Sequence, residues 1–150
     1  MRVAMASDHG GYLLKEELKT ALANWGFQTV DVGCNSLESV DYVDYAEQAV
    51  AAVLNGECER AILICGTGIG MSIAANKFPG IRAALCHDYF SAQATREHND
   101  SNVLCLGARV IGPGLAESIV KVWLNTGFSG GRHQRRLDKI NAIEKRLLSK

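Results

Sequence analysis

The chain has 150 residues, of which 47% are hydrophobic and 21% are charged, and these proportions predict one globular domain over residues 1–150. The 16 basic and 16 acidic residues cancel, which argues against a nucleic-acid or membrane-surface role driven by bulk charge. No apolar run approaches the ~20 residues that span a bilayer, and the N-terminus is too briefly apolar for a signal peptide. These features predict a cytoplasmic protein that binds neither nucleic acid nor membrane.

Hydrophobic periodicity and turn residues divide the chain into alternating strands and helices. In chain order, the predicted strands cover residues 2–6, 28–32, 61–65, 82–86 and 103–106. The predicted helices cover residues 14–25, a segment from a cap at or near Asp44 to a stop at Gly56, a stretch that ends near Lys77, and residues 89–98, 113–126 and 132–150.

This alternation predicts a parallel sheet with right-handed crossovers. The central segment 61–65 is apolar throughout, as expected of a strand that is covered on both faces. We therefore expect an α/β protein with a three-layer, Rossmann-like fold, in which helices cover both faces of a five-stranded parallel sheet. A basic C-terminal helix lies outside the alternation and packs either on the sheet or on another subunit.

The stretch C-G-T-G-I-G-M, residues 65–71, joins the third predicted strand to the helix behind it. It is not G-x-G-x-x-G, because Met71 replaces the third glycine, and it is not a P-loop. Three glycines in five residues let the backbone approach a ligand closely, and the helix N-terminus offers N–H groups to an anion. A tight strand–helix turn would explain the same glycines, but their density favours a ligand cradle.

Cys65 stands out among the five cysteines because it ends a strand, at the edge where open α/β sheets bind ligands. An odd number of cysteines without a C-x-x-C pair argues against a disulfide framework or a zinc site. Two interpretations of Cys65 stay open on spacing alone. It is either a buried strand cysteine or a thiolate that acts as a base or nucleophile.

Three further segments carry groups suited to proton transfer or to an anionic ligand. Asp8 and His9 follow the first strand and share the sheet edge with the glycine stretch. His98 ends a helix, where a favourable interaction with the helix dipole is a sufficient structural reason for a histidine. Arg132 and Arg136 are four residues apart and share one helix face, which suits either a phosphate or a solvated surface.

Six motifs occur in order along nearly the whole chain: S-D-H-G-G (7–11), E-S-V-D-Y (38–42), C-G-T-G-I-G-M-S-I-A-A-N-K (65–77), R-E-H-N-D (96–100), G-A-R-V (107–110) and G-G-R-H-Q-R-R (130–136). Together they resemble the type B ribose-5-phosphate isomerase family, which also contains allose- and galactose-6-phosphate isomerases. One branch of that family has a cysteine at the end of the third strand, and the other has a glutamate six positions later. Cys65 and Met71 resemble the cysteine branch. Val43 departs from the proline that many members carry there.

The resemblance implies an aldose–ketose isomerase that acts on a phosphorylated sugar through a cis-enediolate. In that mechanism His98 opens the sugar ring, and Cys65 carries a proton between C1 and C2. Thr67 hydrogen-bonds the enediolate oxygens, and Asp8 contacts the sugar hydroxyls and assists ring opening.

The resemblance also implies a set of substrate-binding residues. The backbone cradle that holds the developing negative charge comprises Gly66, Thr67, Gly68, Ile69 and Gly70. The phosphate is bound by His9, Arg109, Arg132 and Arg136, and the sugar site is lined by Tyr42 and Asn99. No metal and no other cofactor is implied.

Three functions stay open: ribose-5-phosphate isomerase of the pentose phosphate pathway, six-carbon aldose-6-phosphate isomerase, and non-catalytic sugar-phosphate binding. The joint presence of Cys65, Thr67 and His98 argues against the last of these.

We also expect a homodimer with shared active sites, with a dimer of dimers as an open alternative. The helix of His98 should end at the sheet edge opposite the strand C-termini, so His98 should reach Cys65 of a two-fold related neighbour. The resemblance implies that Asn99 comes from the neighbour as well.

Overall fold

A computed structural model describes all 150 residues, with five strands and six α-helices in alternation. The strands are β1 (Arg2–Ser7), β2 (Gln28–Gly33), β3 (Arg60–Cys65), β4 (Ala83–Leu85) and β5 (Val103–Gly107). The helices are α1 (Tyr12–Asn24), α2 (Tyr42–Leu54), α3 (Ile69–Ala75), α4 (Tyr89–Asn99), α5 (Pro113–Asn125) and α6 (Arg132–Leu148), and a 3-10 turn (His9–Gly11) precedes α1. None of the helices combines the length and apolar character needed to cross a membrane.

All five strands pair in parallel in the order β2-β1-β3-β5-β4, which confirms the predicted sheet. The chain leaves β1 toward β2 on one side and later places β3 on the other side of β1. Open α/β sheets bind ligands outside the carboxyl ends of the strands at such a switch point. The segments that follow β1 and β3 therefore flank the expected site.

Alternate side chains of β3 face the two halves of the core. Ile62 and Ile64 belong to the half that α1 and α5 cover, together with the fully buried Trp123. The intervening side chains of β3 belong to the half covered by α2 and α3. Because helices cover both faces, the side chains from Ala61 to Cys65 are all buried, and Arg60 at the start of the strand is partly exposed.

A buried lysine ties α1 to the carboxyl end of β2. The Lys15 side chain is fully buried, and its Nζ donates to Oδ1 of Asp31 at 2.6 Å and to the carbonyl oxygen of Cys34 at 2.7 Å. Burial of Asp31 acts to raise its pKa, but hydrogen bonds from Lys15, Lys19 and a backbone N–H outweigh it and leave the pKa below its ordinary value. The charged pair therefore fixes the start of the loop that leads to α2.

Two element ends differ from the sequence prediction because side chains bind the backbone there. β4 is one residue shorter than predicted at each end, and the N–H of Arg82 donates to the side chain of Asn102 at 2.8 Å. α3 ends two residues before the predicted end, and the side chain of Asn76 bonds the N–H and C=O of Ala83 at 2.9 and 3.0 Å. A side chain thus takes the ladder position at Arg82, and the side chain of Asn76 joins the end of α3 to β4.

The start of α2 differs from the prediction, and the structure shows where α6 lies, which the prediction left open. α2 begins at Tyr42 with Asp41 at the N-cap position, so Asp44 lies in the first turn, where its charge suits the helix dipole. α6 lies against α4 and near the edge strand β4 rather than on a face of the sheet. Leu137 is its one buried residue, so most of this helix is exposed.

Candidate active site

A cleft of about 460 Å³ opens at the carboxyl ends of β1 and β3, at the switch point of the sheet. We call it the carboxyl-edge cleft, and its walls are formed by Asp8, Tyr42, Cys65, Gly66, Thr67, Ile69, Gly70, Ile73 and Arg109. All of these except Ile73 are among the site residues predicted from the sequence. A larger cleft of about 600 Å³ runs along α6 but contains no predicted site residue, so the chemistry points to the smaller one.

Cys65 ends β3 at the cleft and is 5% exposed. The backbone N–H of Gly68 donates to its sulfur, with an N···Sγ distance of 3.1 Å. Gly68 occupies the N-cap position of α3 with φ 76°, a left-handed conformation that favours glycine. An N–H donor at a helix N-terminus stabilises negative charge, so the geometry suits a sulfur that takes and returns a proton.

Three of the other cysteines have less suitable surroundings. Burial raises the pKa of Cys86 to about 11 and also raises the pKa of Cys105 and of Cys58. These three thiols stay protonated at neutral pH and pack as small apolar side chains. Of the five free cysteines, Cys65 is the one whose side chain lines the cleft.

Close packing of the backbone shapes the cradle between β3 and α3. A Cβ atom at Gly70 would lie 2.5 Å from the ring of Tyr42, so glycine is required for the ring to close over the loop. The Oγ1 of Thr67 accepts the N–H of Ile69 at 3.3 Å. A hydroxyl can accept and donate at the same time, so the hydrogen of Thr67 is available to a ligand in the cleft.

Polar groups from two other segments adjoin this cradle. The buried carboxylate of Asp8 accepts a backbone N–H at 3.1 Å and caps the 3-10 turn that carries His9. The N–H of Val40 donates to Nδ1 of His9 at 3.1 Å, so we assign the hydrogen of the neutral ring to Nε2, where it can bind an anion. The N–H of Arg109 donates to the Gly66 carbonyl at 3.0 Å, which places the arginine at the cleft.

The remaining predicted residues lie in a second group where α4 meets α6. This α4–α6 cluster consists of His98, Asn99, Arg132, His133 and Arg136. The rings of His98 and His133 are stacked, with centroids 4.3 Å apart and planes inclined by 16°. His98, Asn99 and both arginines are exposed, so the cluster is a basic surface rather than a cleft.

The α4–α6 cluster lies at the amino-terminal edge of the sheet. Arg82 directly precedes β4, and its guanidinium donates to the carbonyl oxygens of Asn99 and Asp100 at 2.9 Å. The end of α4 is thereby fixed beside the start of β4, whereas Cys65 ends β3 at the opposite edge. The predicted separation of His98 from Cys65 within one chain is present in the structure.

The residues expected to bind the phosphate lie in two places within a single chain. The four residues expected to bind the phosphate together are divided, with His9 and Arg109 at the carboxyl edge and Arg132 and Arg136 in the α4–α6 cluster. The reason is that α6 packs beside α4, which ends at the amino-terminal edge, and not beside the strand ends.

Two histidines near these sites are absent from the sequence prediction. His87 follows β4, and its Nε2 accepts the N–H of Gly107 at 3.0 Å, which links the ends of β4 and β5 beside the cleft. This contact joins distant positions of the chain and has no sequence signal. The one feature of the sequence that could have indicated a role for His133 is its position between Arg132 and Arg136.

A glycine cradle, a thiol and charged groups at the switch point of an open parallel sheet define an α/β protein that binds a small anionic ligand. No three His, Cys, Asp or Glu side chains are grouped so as to hold a metal ion. A family model described as Ribose/Galactose Isomerase matches residues 3–140. The chain belongs to the ribose/galactose isomerase family.

Individual relatives agree with this assignment. The chain is 56% identical over 149 residues to a putative sugar phosphate isomerase of Bacillus subtilis, YwlF, covering 99% of this chain and 100% of that protein. It is 50% identical to ribose-5-phosphate isomerase B of Escherichia coli over 97% of each chain. The structure of ribose-5-phosphate isomerase B from Clostridium thermocellum matches with a TM-score of 0.96 at 52% identity, covering 98% of this chain and 99% of that one. The predicted family resemblance and fold are confirmed.

Proposed function

We propose that this chain is an aldose–ketose isomerase that interconverts ribose 5-phosphate and ribulose 5-phosphate, as one domain over residues 1–150. The observation that carries the proposal is the sulfur of Cys65, which faces the N–H of Gly68 at 3.1 Å in a cleft beside a glycine cradle. The 50% identity to ribose-5-phosphate isomerase B of Escherichia coli supports the five-carbon substrate.

The first proposed step opens the sugar ring. His98 takes the proton of the C1 hydroxyl and gives a proton to the ring oxygen, so the bond between C1 and the ring oxygen breaks and an aldehyde forms. Asp8 assists by holding the sugar hydroxyls at the carboxyl edge, where its buried carboxylate is already oriented by a backbone N–H.

The second proposed step moves a proton between carbons. The Cys65 thiolate takes the proton from C2, the C–H electron pair forms the C1=C2 double bond, and negative charge develops on the C1 oxygen. The hydroxyl of Thr67 stabilises this enediolate together with N–H groups of the 66–70 cradle other than those of Gly68 and Ile69, which already donate to Cys65 and Thr67. The thiol then returns the proton to C1, and a proton passes from the C2 oxygen to the C1 oxygen, which gives the ketose.

We further propose a homodimer in which each cleft is completed by the partner's α4–α6 cluster. Ile69 and Ile73 line the cleft, Leu85 lies beside Gly68, and these three side chains are 37–59% exposed in the single chain. An exposed apolar patch of this kind marks an interaction surface. In a two-fold dimer each subunit offers the same surface to the other, so both clefts are closed at once.

This arrangement also assigns the phosphate site. His9 and Arg109 of one chain bind the phosphate together with the arginines of the partner's α4–α6 cluster. These arginines lie close to His98 because α6 packs against α4. Tyr42 of the first chain and Asn99 of the partner subunit line the sugar site.

Subunit mixing tests the shared site. Cys65→Ala and His98→Asn chains are each expected to be inactive on ribose 5-phosphate and to regain activity when unfolded and refolded together. Random pairing makes about half of the dimers hybrids, each with one complete site, so about a quarter of wild-type activity is expected. Hybrid dimers that form but stay inactive would contradict the shared site.

Substrate choice is tested by turnover of ribose 5-phosphate against allose 6-phosphate by the wild-type protein. A higher kcat/KM for ribose 5-phosphate is expected. A preference for allose 6-phosphate would assign the protein to six-carbon sugars, and binding of both without turnover would make it a sugar-phosphate-binding protein.

A further inference from the structure

The ring of His98 is held by stacking on another ring, whereas His9 and His87 are held by hydrogen bonds from the backbone. His9 and His87 each accept a backbone N–H on a ring nitrogen, at 3.1 and 3.0 Å. His98 instead lies flat against His133, with ring centroids 4.3 Å apart and planes inclined by 16°. The plane of the exposed His98 ring is therefore set by one neighbouring ring.

Backbone contacts fix His133 in turn. Gly130 and Gly131 have φ of 66° and 57° and turn the chain into α6, and the N–H of His133 donates to the Gly130 carbonyl at 3.1 Å. The N–H of Ser129 donates to the carbonyl of Glu97 at 3.0 Å, which attaches this turn to the last turn of α4. The ring of His133 is thus presented to His98 by the fold itself.

The surroundings of His133 favour its neutral form. Burial against α4 lowers the pKa of His133, and so do His98, Arg132 and Arg136, whereas Glu97 acts in the opposite direction. A neutral ring can lie against His98 without the repulsion between two imidazolium ions. His98 can therefore gain and lose a proton while the charge of its neighbour stays constant.

We propose that His133 is a positioning residue for ring opening, because it holds the ring of His98 in the plane from which that ring exchanges protons with the sugar. The inference rests on the proposed function of His98, which takes the proton of the C1 hydroxyl and gives a proton to the ring oxygen. An exposed ring without a stacking partner samples several rotamers, so fewer encounters would have the productive geometry.

Two substitutions at His133 separate positioning from other roles. His133→Ala removes the stacked ring and is expected to lower kcat on ring-closed ribose 5-phosphate roughly 10- to 100-fold. Turnover of an open-chain tetrose phosphate, which needs no ring opening, should stay close to that of the wild type. His133→Phe keeps a flat ring without nitrogens and is expected to restore most of the lost kcat.

Three results would overturn the positioning role. Equal losses on both substrates would indicate a structural role for His133. A His133→Phe protein as slow as His133→Ala would show that ring stacking is not the cause. A raised KM on both substrates with kcat unchanged would make His133 a phosphate ligand.

An NMR titration tests the contact independently of turnover. His133 is expected to titrate below the ordinary histidine range, and its pKa should rise in His98→Asn because the charge of the neighbouring ring is gone. A pKa of His133 unchanged by His98→Asn would overturn the proposal even if the wild type turns over ribose 5-phosphate. A coupled titration without such turnover would contradict the proposed function, and with it the ring-opening role.

Discussion

The carboxyl-edge cleft and the α4–α6 cluster both contain groups suited to proton transfer, but the fold builds them in different ways. In the cleft, Cys65 is 5% exposed and faces a backbone N–H, and the cradle depends on glycine at Gly68 and Gly70. In the cluster, the functional side chains are exposed, and their positions depend on contacts at helix ends. The carboxyl-edge cleft is a preformed site, whereas the α4–α6 cluster is a fixed surface that encloses no cavity.

The end of α4 shows how the exposed cluster is kept rigid. Asp100 has φ 45°, and its carboxylate accepts from Arg96 at 2.9 Å and from Arg82 at 3.3 Å. Arg96 also donates to the carbonyl oxygen of Ser101 at 2.6 Å. Such a platform would present His98 to another subunit with little loss of conformational entropy on association, which supports the proposal of a site shared between chains.

Replacing the thiol of the cleft should have the largest effect. Cys65→Ala is expected to lower turnover of ring-closed and open-chain substrates alike by ~10²–10⁴-fold, because the base is lost, while a phosphosugar inhibitor still binds. Steady-state kinetics and inhibitor titration measure both. Cys58→Ala is the matched control and should leave turnover unchanged, because Cys58 is a buried cysteine that lies just before the start of β3. Near wild-type turnover by Cys65→Ala would remove Cys65 from the mechanism.

Replacing the imidazole of the cluster should affect one class of substrate. His98→Asn is expected to lower kcat/KM for ribose 5-phosphate by ~10²–10⁴-fold, because ring opening loses its acid and base. An open-chain tetrose phosphate should retain appreciable turnover, since the cleft is intact. Parallel kinetics on the two substrates measure the difference, and equal losses would rule out a dedicated ring-opening role.

Removing the arginines of the cluster should weaken binding rather than chemistry. Arg132→Ala or Arg136→Ala is expected to cost about 1.5–3 kcal/mol of binding free energy for a phosphate-bearing ligand, because a charge-assisted hydrogen bond is lost. Calorimetry with phosphorylated and unphosphorylated sugars measures this. Arg135→Ala on the same exposed turn is the control and should change little. Comparable weakening of both ligands would indicate a structural role for the two arginines.

The ion pair between α1 and the carboxyl end of β2 should respond to pH. Asp31→Asn removes the nearer carboxylate partner of the fully buried Lys15, at 2.6 Å, and leaves Glu16 at 3.6 Å. The change is expected to lower the free energy of unfolding by about 1–3 kcal/mol at pH 7. The folded-state pKa of Asp31 lies below its unfolded value, so its stabilising effect is present above pH ~4 and is lost as the pH falls through the folded pKa.

Urea unfolding of both proteins between pH 7 and pH 3 measures this dependence. Lys19→Met is the control, because Lys19 is the more exposed partner of Asp31 and should cost less than about 1 kcal/mol. A difference between Asp31→Asn and wild type that stays constant down to pH 3 would show that the carboxylate is not the stabilising group.

Part of the cleft could be predicted from strand positions alone, whereas Tyr42 and Arg109 were assigned through the family resemblance. Asp8 comes after β1 and Cys65 ends β3, and parallel strands deliver such positions to one edge whatever the details of packing. The buried pair of Lys15 and Asp31 was not predictable in this way. A lysine inside an amphipathic helix ordinarily points to water, and only the arrangement of α1 over the end of β2 gives it a partner.

Periodicity and turn residues alone thus determined the five parallel strands and the groups that directly follow strand ends at the carboxyl edge, because both depend on rules that act within a few residues or at every strand end. Only the tertiary structure decided that α6 lies beside α4, that His133 stacks on His98, and that Arg132 and Arg136 lie far from Arg109 in the same chain. The physical reason is that contacts between helices depend on packing angles and buried area, which no local pattern of residues specifies.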